Sequence, residues 1–140
     1  MTSQLNVDTI VDKAGSGGTN VKIANNSTYV GEGGSGTQNT VQGLGKVFAL
    51  INQQSTQTIL DSFNVSSITD FNTGATTITF TNPFSNDAYS NTNGLQRIGT
   101  SDFVNNGFDN QTTLCDIECF SGGTQGDSPK VSSTLHGDLA

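Results

Sequence analysis

Two carboxylates stand two positions apart within residues 114–120, where apolar and polar side chains alternate. That alternation predicts a strand with Asp116 and Glu118 on one face, about 7 Å apart by the rise of a strand. Two carboxyl groups at about that separation could hydrolyse a glycosidic bond, one as acid and one as base. The sequence has no Trp to stack against a sugar, and charges at alternate positions are ordinary on an exposed strand. The pair therefore favours a solvated strand face over a hydrolase site.

The two cysteines, Cys115 and Cys119, fall on the opposite face of the same predicted strand, together with Ile117. Four residues of strand span about 13 Å, whereas a disulfide needs Cα atoms within roughly 7 Å of each other. We therefore predict reduced thiols in a hydrophobic core. Half of a metal site is the alternative, but the sequence has no second cysteine pair and a single histidine, His136, to complete it.

Two local patterns suggest a nucleophilic triad and a nucleotide site. His136 and Asp138 lie two residues apart, but no Gly-x-Ser-x-Gly segment is present to expose a serine nucleophile. Residues 31–36 read GEGGSG, the spelling of a dinucleotide-binding loop, yet no apolar helical face follows to aim its amides at a phosphate. We predict a strand-end histidine in the first case and a linker in the second.

Three aspartates, Asp102, Asp109 and Asp127, lie in segments rich in Gly and Asn that could offer oxygen ligands to calcium. None has the Asp-x-Asp-x-Asp-Gly spacing of a calcium loop, so we expect these carboxylates to be solvated. Together, the motifs predict a protein that is not an enzyme and that has no cofactor and no metal.

The elements that position these residues are predicted to be β-strands. Of 140 residues, 31% are hydrophobic and 12% charged, against about 45–50% and about 25% in typical globular domains. Seventeen glycines and many Ser, Thr and Asn residues disfavour helices. With so little apolar surface to bury, an all-β domain is expected to gain stability from an oligomer or a docked partner.

The charge and the apolar pattern of the chain argue against two classes of partner, nucleic acids and membranes. The net charge is −7 and the five Lys and Arg residues are scattered, whereas nucleic-acid binding needs clustered cations. No segment has the roughly 18 apolar residues of a membrane span, and residues 1–10 lack the pattern of a signal peptide. We therefore expect a chain made in the cytosol that binds neither nucleic acid nor a membrane.

Residues 1–40 are predicted to form an extended arm and Gly-rich linker, because they carry too little apolar surface to fold on themselves. Two short alternating segments, residues 5–11 and 20–24, hold most of the apolar side chains. Such a segment can add a strand to the sheet edge of a partner. The predicted docking anchors are Leu5, Val7, Ile10, Val21 and Ile23.

Residues 41–140 are predicted to fold as a β-sandwich or jelly-roll domain, since about seven strand-like segments recur at intervals of roughly ten residues. The segments are 47–51, 58–60, 63–68, 76–81, 95–98, 114–120 and 131–136. Residues 70–74 predict a turn, and 105–107 and 121–129 predict loops, while 41–52 also satisfy a helical period. The residues predicted to form the core or an oligomer contact are Phe48, Phe63, Val65, Ile68, Ile78 and Phe80.

Several motifs occur together along the chain. The amino end reads LNVDTI at 5–10 and GSGG at 15–18, and QGLGK stands at 42–46. The most specific segment is DSFNVSSITD at 61–70, followed by TG at 73–74 and TITFT at 77–81, and VSSTLHGDLA stands at 131–140. With these motifs the chain resembles a family of small virion structural proteins of tailed bacteriophages, especially cyanophages, which includes capsid decoration and tail fibre proteins. Phe48 departs from the family pattern, in which a tryptophan is expected.

The resemblance implies a homotrimeric β-sandwich, carried on the virion exterior by its amino-terminal arm after assembly in the bacterial cytoplasm. Its partners would be copies of itself and the major capsid protein or tail proteins. We favour a capsid decoration or cement protein, because 140 residues leave no room for a shaft and a separate tip. The alternative is a short tail fibre or adhesin whose predicted loops, residues 91–93 and 105–109, contact the host surface.

Overall fold

The computed structural model describes residues 28–30, 37–39, 44–96, 99 and 101–138, and the regular elements in these ranges are all β-strands. The chain divides into two compact units, Met1–Val41 and Gln42–Ala140. In the first unit, β1 (Thr28–Val30) pairs antiparallel with β2 (Thr37–Asn39). The five predicted docking anchors lie outside the described residues: Leu5, Val7, Ile10, Val21 and Ile23.

The second unit contains two antiparallel sheets. The four-stranded sheet contains β3 (Val47–Asn52), β4 (Thr58–Phe63), β7 (Ser90–Leu95) and β11 (Val131–His136). Its strand order is β4-β3-β11-β7. The five-stranded sheet contains β5 (Val65–Asn72), β6 (Ala75–Phe80), β8 (Phe103–Asn110), β9 (Leu114–Ser121) and β10 (Thr124–Gln125). In it, β9 pairs with β6, β8 and β10, and β5 pairs with β6.

The core lies between the inner faces of these sheets. Every second residue of β3 and of β11 is buried, as the two-residue period of a strand requires when one face is covered. Their partners in the opposite sheet come from β6 and β9, so the prediction of an all-β fold is confirmed and the two sheets have the arrangement of a β-sandwich. The core residues are Val47, Ala49, Ile51, Ile78, Phe80, Phe84, Cys115, Ile117, Cys119, Val131 and Leu135.

A buried glutamine ties the two sheets together at one end. Gln53 follows β3, and its Nε2 donates hydrogen bonds to the Gly74 carbonyl and to Thr76 Oγ1, each at 3.0 Å. Its Oε1 accepts from the Ser128 amide at 3.1 Å. A buried amide side chain is costly unless its polar atoms are bonded. These hydrogen bonds link the end of β3 to the start of β6 and to Ser128, and they therefore stabilise the alignment of one sheet against the other.

The chain passes from one sheet to the other at Asn64, the single residue between β4 and β5. Its φ of 59° lies in the left-handed region, which Asn tolerates better than most residues. The Asn64 side chain donates to the carbonyls of Lys46 and Asn82 and accepts from the Asn82 amide. As a result β4 and β5 are consecutive in the chain but belong to different sheets, and each is an edge strand of its own sheet.

Most of the predicted strands in 44–138 are confirmed, including those at 47–51, 76–81, 114–120 and 131–136, and so is the turn at 70–74. The strand predicted at 95–98 begins earlier, because β7 occupies Ser90–Leu95; residues 97 and 98 lie outside the described residues. The predicted loop at 105–107 is wrong, since these residues belong to β8. Residues 91–93, predicted as a host-contacting loop, are likewise part of a strand. Both misassigned strands contain several Asn residues, so no apolar pattern marks them. β7 pairs with β11, which is distant in sequence, and β8 pairs with the next strand, β9.

Candidate assembly surface

The two carboxylates that could have formed a hydrolase site, Asp116 and Glu118, instead accept hydrogen bonds from neighbouring strands. Asp116 accepts a hydrogen bond of 2.6 Å from Thr77 Oγ1 on β6. Glu118 accepts one of 2.9 Å from Gln125 Nε2 on β10 and is only 7% exposed. The prediction of a solvated strand face is wrong for Glu118, because β9 is an inner strand with β6 and β8 on its two sides.

The backbone of β8 lies close to one of these carboxylates, Asp116. A Cβ atom placed on Gly107 would lie 2.3 Å from the Asp116 Cβ, so the strand approaches Asp116 at a distance that only glycine permits. This approach occupies the space next to Asp116 that a substrate would need. The arrangement favours a structural role for the pair.

The cysteines are reduced and fully buried, as predicted. Burial raises the pKa of the Cys115 thiol to about 12, and the Asp116 carboxylate adds to the rise. Burial also raises the pKa of Cys119 to about 12, against a smaller opposing effect of its hydrogen bond with Gln53. Thiols held protonated in this way are poor nucleophiles and poor metal ligands. Within the described residues, no group of three or more His, Cys, Asp and Glu side chains could hold a metal ion.

The other candidate ligands are dispersed. His136 ends β11 and lines, with Asn86, Ser90 and Asp138, an open cavity of about 350 Å³. The three aspartates of the calcium alternative accept hydrogen bonds from three different segments. Asp102 accepts from the Gly99 amide, Asp109 from the Gln111 side chain and Asp127 from the Gly74 amide. The fold does not gather them into one site.

The feature that does stand out is an exposed apolar strand at the edge of the four-stranded sheet. All six residues of β4 are exposed, and three of them are large and apolar: Ile59 at 37%, Leu60 at 47% and Phe63 at 61%. β4 pairs with β3 along one side only. Other large apolar side chains are exposed on different segments: Leu44, three residues before β3, Phe71 on β5 and Phe103 on β8. The three on β4 share one strand, and apolar exposure concentrated at one place marks an interaction surface.

The residues predicted for the core or the oligomer contact divide between these two environments. Ile78 and Phe80 lie in the core, and Val65 and Ile68 are partly buried against it. Phe63 lies at the surface, directly opposite the half-buried Phe48 on β3. The sequence does not predict that Leu44, Leu60 and Phe71 lie at the surface, because a local apolar pattern does not reveal whether a strand lies at the edge of its sheet.

No known protein family, no curated protein and no solved structure matches the chain. The resemblance to phage virion proteins therefore stays a prediction. The described residues contain no helix that is long and apolar enough to cross a membrane.

Proposed function

We propose that the protein is a non-enzymatic structural protein of the exterior of a tailed-phage virion. In this proposal the Gln42–Ala140 unit is a jelly-roll-type sandwich that self-associates, with a homotrimer as the expected state. Residues 1–40, in which β1 pairs with β2, form an arm that docks on the particle, and capsid decoration or cementing is favoured over a place in the tail.

The observation that carries the proposal is the exposed apolar edge strand β4. Its Ile59, Leu60 and Phe63 side chains are exposed on one edge of the four-stranded sheet, and apolar exposure gathered in one place marks an interaction surface. The composition supports the same view, because 31% hydrophobic residues give a thin core that further burial would stabilise.

The use of the polar residues also supports a structural role. Asp116, Glu118 and Gln53 each have hydrogen-bond partners within the sandwich, and β8 closes over Asp116. A hydrolase would need its carboxylates open to substrate and water. The motifs at 61–70 and 77–81, which carry the resemblance to virion proteins, form β5, β6 and the Asn64 corner.

The arm supports attachment to a repetitive particle. Alternating apolar residues such as Val21 and Ile23 suit strand addition to a partner's sheet edge. Three arms on one trimer would bind three equivalent sites together, which raises the overall affinity far above that of a single arm.

The test is the copy number of the chain in purified particles of the virus that encodes it, measured by quantitative mass spectrometry. A decoration protein is expected at hundreds of copies per particle, in fixed ratio to the major capsid protein. A few copies to a few dozen would move the protein to the tail, as a short fibre or adhesin. Absence from washed particles would overturn the proposal.

A further inference from the structure

The outward side of the four-stranded sheet has an unusual composition for a face in contact with water. We define the Phe63 face as the outward side of β4 and β3 with the adjacent part of β11. It contains Phe48, Leu50, Asn52, Asp61, Phe63 and Thr134. In the register of the sheet, Phe63 lies opposite Phe48, which lies opposite Thr134, and Leu50 lies opposite Asp61. Phe48 and Leu50 alternate with the buried residues of β3, so their side chains belong to the outward side.

This sheet is also nearly free of charge. Among all residues of β3, β4, β7 and β11, Asp61 is the only Asp, Glu, Lys or Arg. One of the 24 residues of these four strands is charged, whereas charged residues make up 12% of the whole chain. The five-stranded sheet differs, because β5 contains Asp70, β8 contains Asp109, and β9 contains Asp116 and Glu118.

The net charge of the chain makes this distribution informative about the partner. At −7, two copies of the chain repel each other wherever their carboxylates meet. A basic partner would be attracted to an acid-rich surface, whereas another copy of this acidic chain can approach closely only where acids are scarce. The Phe63 face combines that scarcity with the most exposed large apolar side chain of β4.

The backbone edge of β4 is protected against direct strand addition. The Asp61 carboxylate accepts a hydrogen bond of 2.8 Å from the Ser62 amide. The register with β3 also shifts opposite Leu50 and Ile51, which is the irregularity that a bulge introduces. Both devices hinder edge-to-edge pairing. Contact is therefore expected between side chains of the face and not through an extended sheet.

We infer that the Phe63 face is the contact surface between copies of this chain, packed side chain against side chain. The Phe63 face spans β4, β3 and part of β11, and the whole four-stranded sheet has a projected area on the order of 400 Å², about half of the roughly 800 Å² of accessible surface per partner in a standard interface. The accessible area of a side-chain surface exceeds its projection, and Ile59 and Leu60 extend the apolar area along the edge. The inference deepens the proposed function by naming the surface through which the protein self-associates.

The experiment compares full-length wild type with Phe63→Ser, Asn52→Asp and Phe71→Ser by sedimentation equilibrium over a range of concentrations. Phe63→Ser removes the exposed ring. Asn52→Asp places a carboxylate on the face while keeping the oxygen that accepts the Gln54 amide. Phe71→Ser is the matched control, an equally exposed Phe outside the face. Far-UV circular dichroism reports that each variant keeps its strands.

We expect a wild-type oligomer whose dissociation constant rises at least about tenfold in Phe63→Ser, rises less in Asn52→Asp and most at low salt, and is unchanged in Phe71→Ser. A monomeric wild type at about 100 μM, or a Phe63→Ser oligomer as tight as wild type, would overturn the inference. These outcomes are independent of the proposed location. A monomer found on virions would leave the virion proposal standing without this contact, and an oligomer absent from virions would leave the contact standing without the location.

Discussion

At the scale of single residues, Gly74 lies in the turn before β6 and is in close contact with β9 and with the segment after β10. Its φ is 72°, and a Cβ atom would lie 2.7 Å from both the Cys119 carbonyl oxygen and the Gly126 nitrogen. Gly122 has a similar φ of 59° but open space around its Cβ position. Comparing substitutions at the two glycines therefore separates the energetic cost of a left-handed backbone from the cost of crowding around an added Cβ atom.

We predict that Gly74→Ala lowers the free energy of unfolding by about 2–5 kcal/mol, from left-handed strain plus overpacking, and Gly122→Ala by about 1–2 kcal/mol, from strain alone. Urea denaturation at one fixed protein concentration measures both, since association would otherwise shift the apparent stability. Equal losses in the two variants would show that the tight contact at Gly74 does not exist.

The buried thiols make stability depend on pH in one direction. Unfolded cysteines ionise above about pH 8.5, whereas burial raises the pKa of Cys115 and Cys119 to about 12. The unfolded state thus loses protons first, so the free energy of unfolding falls as pH rises from about 8.5 towards 12 and is unaffected by these groups below that range.

We predict that the double variant Cys115→Ala/Cys119→Ala shows a shallower fall between pH 8.5 and pH 10.5 than wild type, in urea titrations at each pH. Part of the fall remains in the variant, because burial also raises the pKa of Tyr89. Parallel profiles for the two proteins would mean that the thiols are accessible to water in the folded state.

At the scale of elements, the Asn64 corner sets the positions of both edge strands. The Asn64 side chain bonds to Lys46 and Asn82, and its left-handed φ suits Asn and Asp better than Ala. We predict that Asn64→Ala lowers the free energy of unfolding by about 3–5 kcal/mol, whereas Asn64→Asp, which keeps the acceptor oxygen, costs about 2 kcal/mol. Thermal and urea unfolding test this order, and an Asn64→Ala variant no less stable than Asn64→Asp would contradict it.

The same scale shows which elements can be predicted from sequence. β6 and β11 were predicted because their apolar residues alternate, and that alternation reflects one buried and one less buried face. The position of β7 is not predicted because its Asn-rich segment, 90–95, pairs with β11, which is distant in sequence. β8 is not predicted because residues 105–107 are polar, although they pair with the next strand, β9. Glycine near 107 was interpreted as a loop signal, although it serves a close approach to Asp116 within a strand.

The candidate surface was predictable only in part, for a related reason. Phe48 and Phe63 are predicted from sequence as residues of the core or of a contact, but the pattern of β4 resembles that of any half-buried strand and does not predict that Phe63 is exposed. Its exposure follows from strand order, since β4 lies at an edge beyond β3. Strand order depends on long-range pairing, which no local spacing of residues encodes.

At the scale of the whole molecule, a thin core, an acidic chain and a nearly uncharged sheet support the proposal that the protein associates with its own copies. In that proposal the Phe63 face supplies the contact between copies, and the arm supplies the contact with the particle. Avidity then makes particle binding depend on self-association, so Phe63→Ser is expected to weaken both.

A cryo-EM map of the virion that encodes this chain tests the account most directly. The account predicts density for the sandwich at symmetry-related sites on the particle exterior, with Phe63 and Phe48 buried between neighbouring copies. A particle whose exterior carries no such density, or one in which isolated sandwiches leave Phe63 facing solvent, would contradict it.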